Sequence, residues 1–142
     1  MTNSSTDRRM PITGRTVSVR LRGTPASVPE ARGCVVGFAR DCGFTEDQLF
    51  DIGLAVGEAC ANAVMHASKA DSSFLVRAYD RSDKIVVTVT DPGDAAVPPL
   101  LRDPDRVGGL GLFLIRRLMD RMSLEMSPGG TKLTMSRRKR VA

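Results

Sequence analysis

The sequence predicts an α+β protein: a two-layer α/β sandwich with a mostly antiparallel sheet and helices on one face. Two helical stretches follow a first alternating strand, which is the first observation behind this class. Two adjacent strands then pair across a short polar turn, and a further helix leads into a glycine hairpin. With 142 residues, of which 42% are hydrophobic, the chain can bury one core of its own.

The first strand and helix are predicted from alternation and from proline and glycine positions. Residues Arg15–Arg22 alternate apolar and polar side chains, as a half-buried strand does. A helix is predicted from Ser27 or Val28 to Asp41, because Pro29 lies in its first turn and Gly43 lies just past its end.

A long second helix is predicted from Thr45 to about Ala67. Thr45 and Gln48 have the spacing of a capping box. Glu58 and Asn62 are four residues apart and therefore share one face of this helix. The apolar stripe predicted to face the core consists of Leu49, Ile52, Val56, Ala59 and Ala63.

The second half of the chain predicts strands, a lid, a helix and a closing hairpin. The lid, residues 91–106, has four prolines and no periodicity, and a loop of this length is usually functional. The helix that opens at residues 108–111 turns Leu112, Ile115, Met119 and Met122 inward. The predicted strands are Phe74–Asp80, Ile85–Thr90, Ser123–Ser127 and Thr131–Ser136.

Charge and composition divide the chain and exclude several classes. We expect a disordered tail at 1–13, one domain at 14–136 and a basic tail at 137–142. The tails carry the whole net charge of +5, and aromatic residues are only 4%, which disfavours a nucleic-acid-binding face. No apolar run is long enough for a membrane span or a secretory signal, which predicts a cytoplasmic protein with reduced cysteines.

Three separated elements carry the candidate chemistry. The glycine-rich helix start at 108–111 would expose backbone N–H groups to phosphate. The Asn62 carbonyl could bind Mg²⁺ together with phosphate oxygens, and Glu58 could accept a proton from an attacking hydroxyl or water. Asp91 at a strand end suits an exocyclic amine such as that of adenine, and Gly93 would let a flat ring approach.

Each of these elements also has an ordinary structural interpretation. Glu58 and Asn62 could be a solvated helix edge, and Asp91 could simply begin a turn. The glycines at 108–111 could mark a loop that enters a helix. His66 is best interpreted as a structural residue near a helix C-terminus.

Taken together, the three elements resemble the histidine-kinase-like ATPase superfamily with the Bergerat nucleotide fold. They read EACANAVMHA from Glu58, then Asp91-Pro-Gly93, then Gly109-Leu-Gly111-Leu. The first of them is most similar to the RsbW-like anti-sigma factor serine kinases, and the resemblance covers roughly residues 15 to 136.

This resemblance implies an ATP- and Mg²⁺-dependent protein serine/threonine kinase with Glu58 as its general base and Asn62 as its metal ligand. It implies a homodimer that binds a sigma factor and phosphorylates an anti-anti-sigma protein of the STAS type on serine, without contacting nucleic acid or membrane. The positions it assigns to the nucleotide are Asp91, Gly93, Gly109, Gly111, Leu112 and Thr131.

Other functions stay open from the sequence. The adenine loop of the superfamily commonly ends in glycine where this chain has Ala95, which favours a regulatory module that binds ATP and sequesters a partner without catalysis. A free-standing ATPase, with Glu58 activating water, and a basic nucleic-acid binder are further alternatives.

Overall fold

The computed structural model describes residues 14–65, 72–92 and 109–140. The predicted N-terminal tail, His66, Gly93, Ala95 and most of the predicted lid lie outside these residues. In chain order the elements are β1 (Thr16–Arg22), α1 (Ser27–Asp41), α2 (Glu46–Met65), β2 (Ser73–Asp80), β3 (Lys84–Asp91), α3 (Gly109–Leu118), β4 (Arg121–Ser127) and β5 (Gly130–Arg138).

The described strands form one five-stranded sheet in the order β1-β2-β3-β5-β4, and every neighbouring pair is antiparallel. The helices cover the face of the sheet on which the apolar residues of the strands alternate and are buried. The predicted α+β two-layer sandwich is therefore confirmed. The largest buried side chains of the sheet face under the helices are Phe74, Val76, Ile85, Val87 and Met135.

The helix boundaries follow the local signals in the sequence. Helix α1 ends before Gly43, whose φ of +98° is the left-handed conformation that a glycine adopts after a helix. The capping box is present: the Thr45 amide donates to Gln48 Oε1 over 3.2 Å, and the Gln48 amide donates to Thr45 Oγ1 over 3.3 Å. Helix α2 then runs from Glu46 to Met65, and its predicted apolar stripe is buried.

Helix α3 is shorter than predicted. It ends at Leu118, and Met122, expected on the inward face of the helix, lies instead on β4. The backbone leaves the helix because the Asp120 amide donates to the Ser136 carbonyl over 2.8 Å, which starts the pairing of β4 with β5. Met122 still packs against the core, since β4 turns it toward the helices.

Strand β5 is longer than predicted. It continues past Ser136 through Arg138, so two residues that were expected in the basic tail belong to the sheet. The Arg137 Nη1 donates to Asp51 Oδ2 over 2.9 Å and to the Leu118 carbonyl over 2.6 Å. These bonds join β5 to both α2 and the end of α3, which gives Arg137 a structural place that a solvated tail would lack.

No helix within the described ranges is both long enough and apolar enough to cross a membrane.

Candidate functional site

Glu58 and Asn62 lie on the side of α2 that faces α3. Both side chains are half-buried, and their neighbours Ala55 and Ala59 are fully or nearly fully buried. The small neighbours leave the carboxylate and the amide reachable from outside the core. The predicted pairing of these two groups on one helix face is thus present in the structure.

The glycine-rich start of α3 lies directly against Glu58. A Cβ atom placed on Gly111 would be 2.8 Å from Glu58 Oε1, which is closer than van der Waals contact allows. Helix α3 begins at Gly109, so this contact lies in its first turn, where backbone N–H groups have no partner within the helix. The structure therefore brings together the first and third of the predicted elements.

Asp91 and Thr131 form a second cluster. They are directly opposite each other in the β3–β5 register, and the Asp91 side chain is buried. Gly130, just before Thr131, has φ +141°, and a Cβ on it would overlap the Asp91 carbonyl oxygen and lie 2.7 Å from the Pro92 carbonyl carbon. The end of β3 and the start of β5 thus approach each other more closely than any side chain would permit.

The direction of α2 places both clusters toward the same end of the sandwich. Its first turn is attached to the end of β5, because Gln48 Nε2 donates to the Arg138 carbonyl over 2.8 Å. Arg138 pairs with Lys84 at the start of β3, whereas Asp91 is at the far end of that strand. Helix α2 therefore runs toward the Asp91 end of the sheet, and Glu58 and Asn62 lie in its later half.

A cationic side chain from α1 lies against the glycines of α2. Arg32 of α1 extends across Gly53 and Gly57; its Nε would lie 3.3 Å from a Cβ on Gly57. The absence of side chains at these two glycines lets the guanidinium lie along the helix beside Gly57, the residue that precedes Glu58 in the chain. The position of Arg32 was not predictable from the sequence, since an isolated arginine on a helix gives no signal.

The remaining predicted site residues differ in how the structure places them. Gly93 lies outside the described residues. Leu112 is buried in the core, so only its backbone is available to a ligand. Gly130 was predicted only as a hairpin glycine, although the Gly129-Gly130 doublet is the sequence signal for a close backbone approach.

The cysteines are free thiols within the described part of the chain, as the sequence predicted. Burial raises the pKa of Cys60 to about 12. Burial, and secondarily the neighbouring Asp80 carboxylate, raises the pKa of Cys42 to about 11. Both thiols are therefore protonated at neutral pH and pack as small apolar groups.

Known proteins are similar to this chain over the elements that carry the candidate site. The family described as the histidine kinase-like ATPase domain matches residues 21–137. The chain belongs to this family. The match includes both clusters of the candidate site and ends within β5.

Curated relatives of the chain include serine-protein kinases named RsbW. The RsbW of Bacillus licheniformis is 32% identical over 130 residues, which cover 81% of each chain. The RsbW of Bacillus subtilis is 32% identical over 129 residues, again 81% of each chain. The RsbW of Staphylococcus aureus is 32% identical over 130 residues, which are 81% of this chain and 82% of that protein.

A solved structure of the RsbU and RsbW domains of a Mycobacterium tuberculosis protein has the same fold. It superposes with a TM-score of 0.71 at 21% identity and covers 90% of this chain. This chain spans 34% of that longer protein. At this identity the likeness supports the histidine kinase-like ATPase fold and nothing finer.

Proposed function

We propose that this protein is an ATP- and Mg²⁺-dependent protein serine/threonine kinase that acts as an anti-sigma factor. The observation that carries the proposal is the contact between the Glu58 carboxylate and the backbone of the first turn of α3 at Gly111. A carboxylate would be held there beside a helix N-terminus, which is a favourable place for phosphate groups. The relatives named serine-protein kinase RsbW support the same reaction class.

The protein groups would divide the work of phosphoryl transfer. Glu58 would accept the proton of the substrate serine hydroxyl. At the same time the serine oxygen would bond to the γ-phosphorus, and the bond between the γ-phosphorus and the β,γ-bridging oxygen would break, which releases ADP. The α3 backbone at Gly109 and Gly111 would bind phosphate oxygens. Asp91, with Thr131 opposite it, would bind the adenine amino group.

The residues present fit a magnesium nucleotide. The half-buried Asn62 amide lies one helical turn beyond Glu58 and offers the single oxygen ligand that Mg²⁺ needs from the protein when phosphates and water supply the others. When bound, the ion would neutralise charge on the phosphates. No cluster of three or more His, Cys, Asp or Glu side chains gathers in the described ranges, so the nucleotide itself would contribute to the metal site.

The proposed partners are a sigma factor and an anti-anti-sigma protein of the STAS type, which would be the substrate phosphorylated on serine. We further propose that the protein acts as a homodimer in the cytoplasm, without contacting nucleic acid or membrane. The similarity to RsbW kinases over 81% of the chain supports these partners.

Replacing the proposed base tests the reaction. Glu58→Gln keeps the size of the side chain and removes the proton acceptor, so transfer from γ-labelled ATP to a purified STAS-type substrate should fall by about 10²-fold or more. ATP affinity, measured by calorimetry, should stay within about threefold. A variant that binds ATP normally and still transfers at the wild-type rate would refute the role of Glu58.

Replacing the proposed metal ligand tests the second assignment. Asn62→Ala should weaken ATP binding in Mg²⁺ by about tenfold and change binding in EDTA much less. An unchanged affinity in Mg²⁺ would contradict the assignment.

Two results with the wild-type chain would favour the alternative functions. Binding of ATP and a sigma factor without any phosphate transfer would favour a non-catalytic sequestering module. Release of phosphate from ATP without a protein substrate would favour a free-standing ATPase.

A further inference from the structure

The outer face of the sheet, which the helices leave uncovered, is strongly basic. Residues that are directly paired between neighbouring strands share a face. The register of the described strands therefore places seven cationic side chains on the outer face and one carboxylate, that of Glu125. None of the seven forms an ion pair with a residue of the described ranges. The cationic residues are Arg20, Arg22, Arg77, Lys84, Arg121, Lys132 and Arg138.

A cavity opens on this face where β3, β5 and β4 lie side by side. Its volume is about 300 Å³, and among the described residues that line it there are two cations and no carboxylate. The cations are Lys84 and Arg121, and three hydroxyl groups accompany them, from Ser123, Thr134 and Ser136. Such a lining offers positive charge and hydrogen-bond donors, so it suits an anion and not a metal ion.

The strand register explains how the two cations come to share one cavity. Arg121 is directly opposite Ser136, and Ser136 is directly opposite Val86 on its other side. Lys84 precedes Val86 by two residues and lies on the same face, so the backbones of Lys84 and Arg121 are about 12 Å apart. Two long side chains can span that distance from both sides. Ser136 between them is only 8% exposed, which gives the cavity a recessed polar floor.

A third cation lies at the edge of the cavity. Arg138 is exposed and directly opposite Lys84 in the β3–β5 register. The carboxylate that follows α3, Asp120, accepts the Arg138 backbone amide over 2.6 Å and forms no ion pair with a described residue. The positive charges of Lys84, Arg121 and Arg138 are therefore not neutralised by ion pairs within the described ranges.

We propose that this cavity binds a phosphate dianion, either free phosphate or the monoester of a small molecule. Two cations in the cavity match the charge of a dianion, and the planar guanidinium and the hydroxyl groups can donate to several phosphate oxygens at once. A volume of about 300 Å³ is at the lower end of the range for small-molecule sites, so a phosphate group with a few further atoms fits.

The cavity is separate from the proposed nucleotide site. Lys84 begins β3 and Asp91 ends it, which puts about 23 Å of strand between them. The cavity is also on the outer face of the sheet, whereas Glu58 is in the helix layer on the other face. The inference therefore stands apart from the proposed kinase function.

Other occupants fit the outer face less well. A second copy of this chain, seated face to face, would bring the same excess of positive charge against it, which is repulsive. A single-stranded nucleic acid is bound through aromatic side chains as well as cations. Tyr79 is the single aromatic residue that the described register places on this face, and the Arg81 guanidinium lies 5.0 Å from the centroid of its ring.

Titration of the full chain, labelled with ¹⁵N, tests the proposal. At about pH 8, where phosphate is a dianion, inorganic phosphate and glycerol 3-phosphate should each cause saturable amide shifts in β3, β4 and β5. The expected Kd is about 1 mM or lower. A lower Kd for glycerol 3-phosphate would identify a monoester as the ligand, and a lower Kd for inorganic phosphate would identify the free ion.

A double variant and a matched control locate the binding. Lys84→Gln combined with Arg121→Gln should raise the Kd by about tenfold or more, because it removes two charge-assisted donors. Lys132→Gln removes an exposed cation of the same face that does not line the cavity, so the Kd should stay within about twofold. Both variants should keep the wild-type melting temperature and ATP affinity.

Several results would overturn the proposal and leave the kinase function intact. One is the absence of saturable shifts in these strands at about 20 mM phosphate. A second is equal weakening in Lys132→Gln and in the double variant, which would show diffuse attraction of anions to a basic surface. A third is equal binding of acetate, a monoanion. A fourth is tighter binding of a DNA oligonucleotide than of phosphate through the same cations.

Discussion

The two ends of the sandwich are built from different chemistry. At one end, which we call the locked end, Gln48, Asp51, Asp120, Arg137 and Arg138 form hydrogen bonds between β5 and the helix layer and between β5 and the start of β4. These bonds measure 2.6 to 2.9 Å. The locked end fixes how α2 and α3 lie relative to the sheet.

The other end, which we call the glycine end, contains Glu58, Asp91, Gly111 and Gly130. Here the close contacts are made by bare backbone: Gly111 against Glu58, and Gly130 against Asp91. The two ends therefore depend on different contacts: side-chain hydrogen bonds at one, and close backbone approach at the other. Side-chain hydrogen bonds at the locked end hold the elements in place, and the small residues of the glycine end leave room for the proposed nucleotide.

The largest effect on stability should come from adding a side-chain atom at the closest backbone contact of the glycine end. Gly130→Ala places a Cβ into the Asp91 carbonyl at φ +141°, where neither backbone can yield cheaply. We expect the free energy of unfolding to fall by about 3 kcal/mol or more, measured by urea denaturation. Gly33→Ala is the control: its Cβ meets nothing within 4 Å, so it should stabilise α1 by about 0.5–1 kcal/mol. Equal effects of the two substitutions would contradict the contact.

The next largest effect should come from removing side-chain hydrogen bonds of the locked end, which lie away from the candidate site. Arg137→Met leaves the Asp51 carboxylate and the Leu118 carbonyl without their shared donor. The free energy of unfolding should fall by about 2 kcal/mol, while ATP affinity stays unchanged. Arg138→Met is the control, since within the described ranges Arg138 forms hydrogen bonds through its backbone alone. If Arg138→Met were as destabilising as Arg137→Met, the locked end would owe its stability to something else.

The position of Arg137 at the locked end was not predictable from the sequence. The basic run at 137–140 has the composition of a solvated tail, and nothing local indicates that Arg137 faces inward. Its partners Asp51 and Leu118 are distant in the sequence, so only the assembled fold reveals them. Local signals were sufficient elsewhere: the capping box at Thr45 predicted the start of α2 correctly, and the alternation in Arg15–Arg22 predicted β1 correctly.

The glycine end was predictable in part. The spacing of Glu58 and Asn62 placed them on one helix face, because helical periodicity is a local property. The family resemblance implied that Glu58 and Gly111 serve one nucleotide site, but the contact between them was not predicted, since it joins two helices. The role of Gly130 was missed because a glycine in a hairpin turn gives the same local signal whether or not a neighbouring strand presses against it.

A smaller effect separates chemistry from stability at the glycine end. Gly111→Ala brings a methyl group against Glu58 Oε1, the flexible tip of that side chain, which can move aside. The fold should be kept, since alanine favours the helix, but the displaced carboxylate should lower kcat by about tenfold. Transfer kinetics combined with thermal denaturation measures both. A destabilised protein with normal kcat would show that the contact is only structural.

The smallest effect concerns the buried thiol of Cys60 on α2. Its pKa is raised to about 12 in the folded protein, so the unfolded chain releases this proton first as pH rises above 9. The free energy of unfolding should therefore decrease with pH above 9, by about 1 kcal/mol at pH 10 from this thiol. Cys60→Ala should flatten that decrease in a series of denaturation curves. An unchanged slope would place its source elsewhere.

The most direct test of the account is calorimetric titration of the folded wild-type chain with ATP, in Mg²⁺ and in EDTA. The account predicts saturable binding with a stoichiometry of one nucleotide per chain, stronger in Mg²⁺ and weakened by Asp91→Asn. Well-folded protein that releases no heat with millimolar ATP and Mg²⁺ would contradict the nucleotide site at the glycine end.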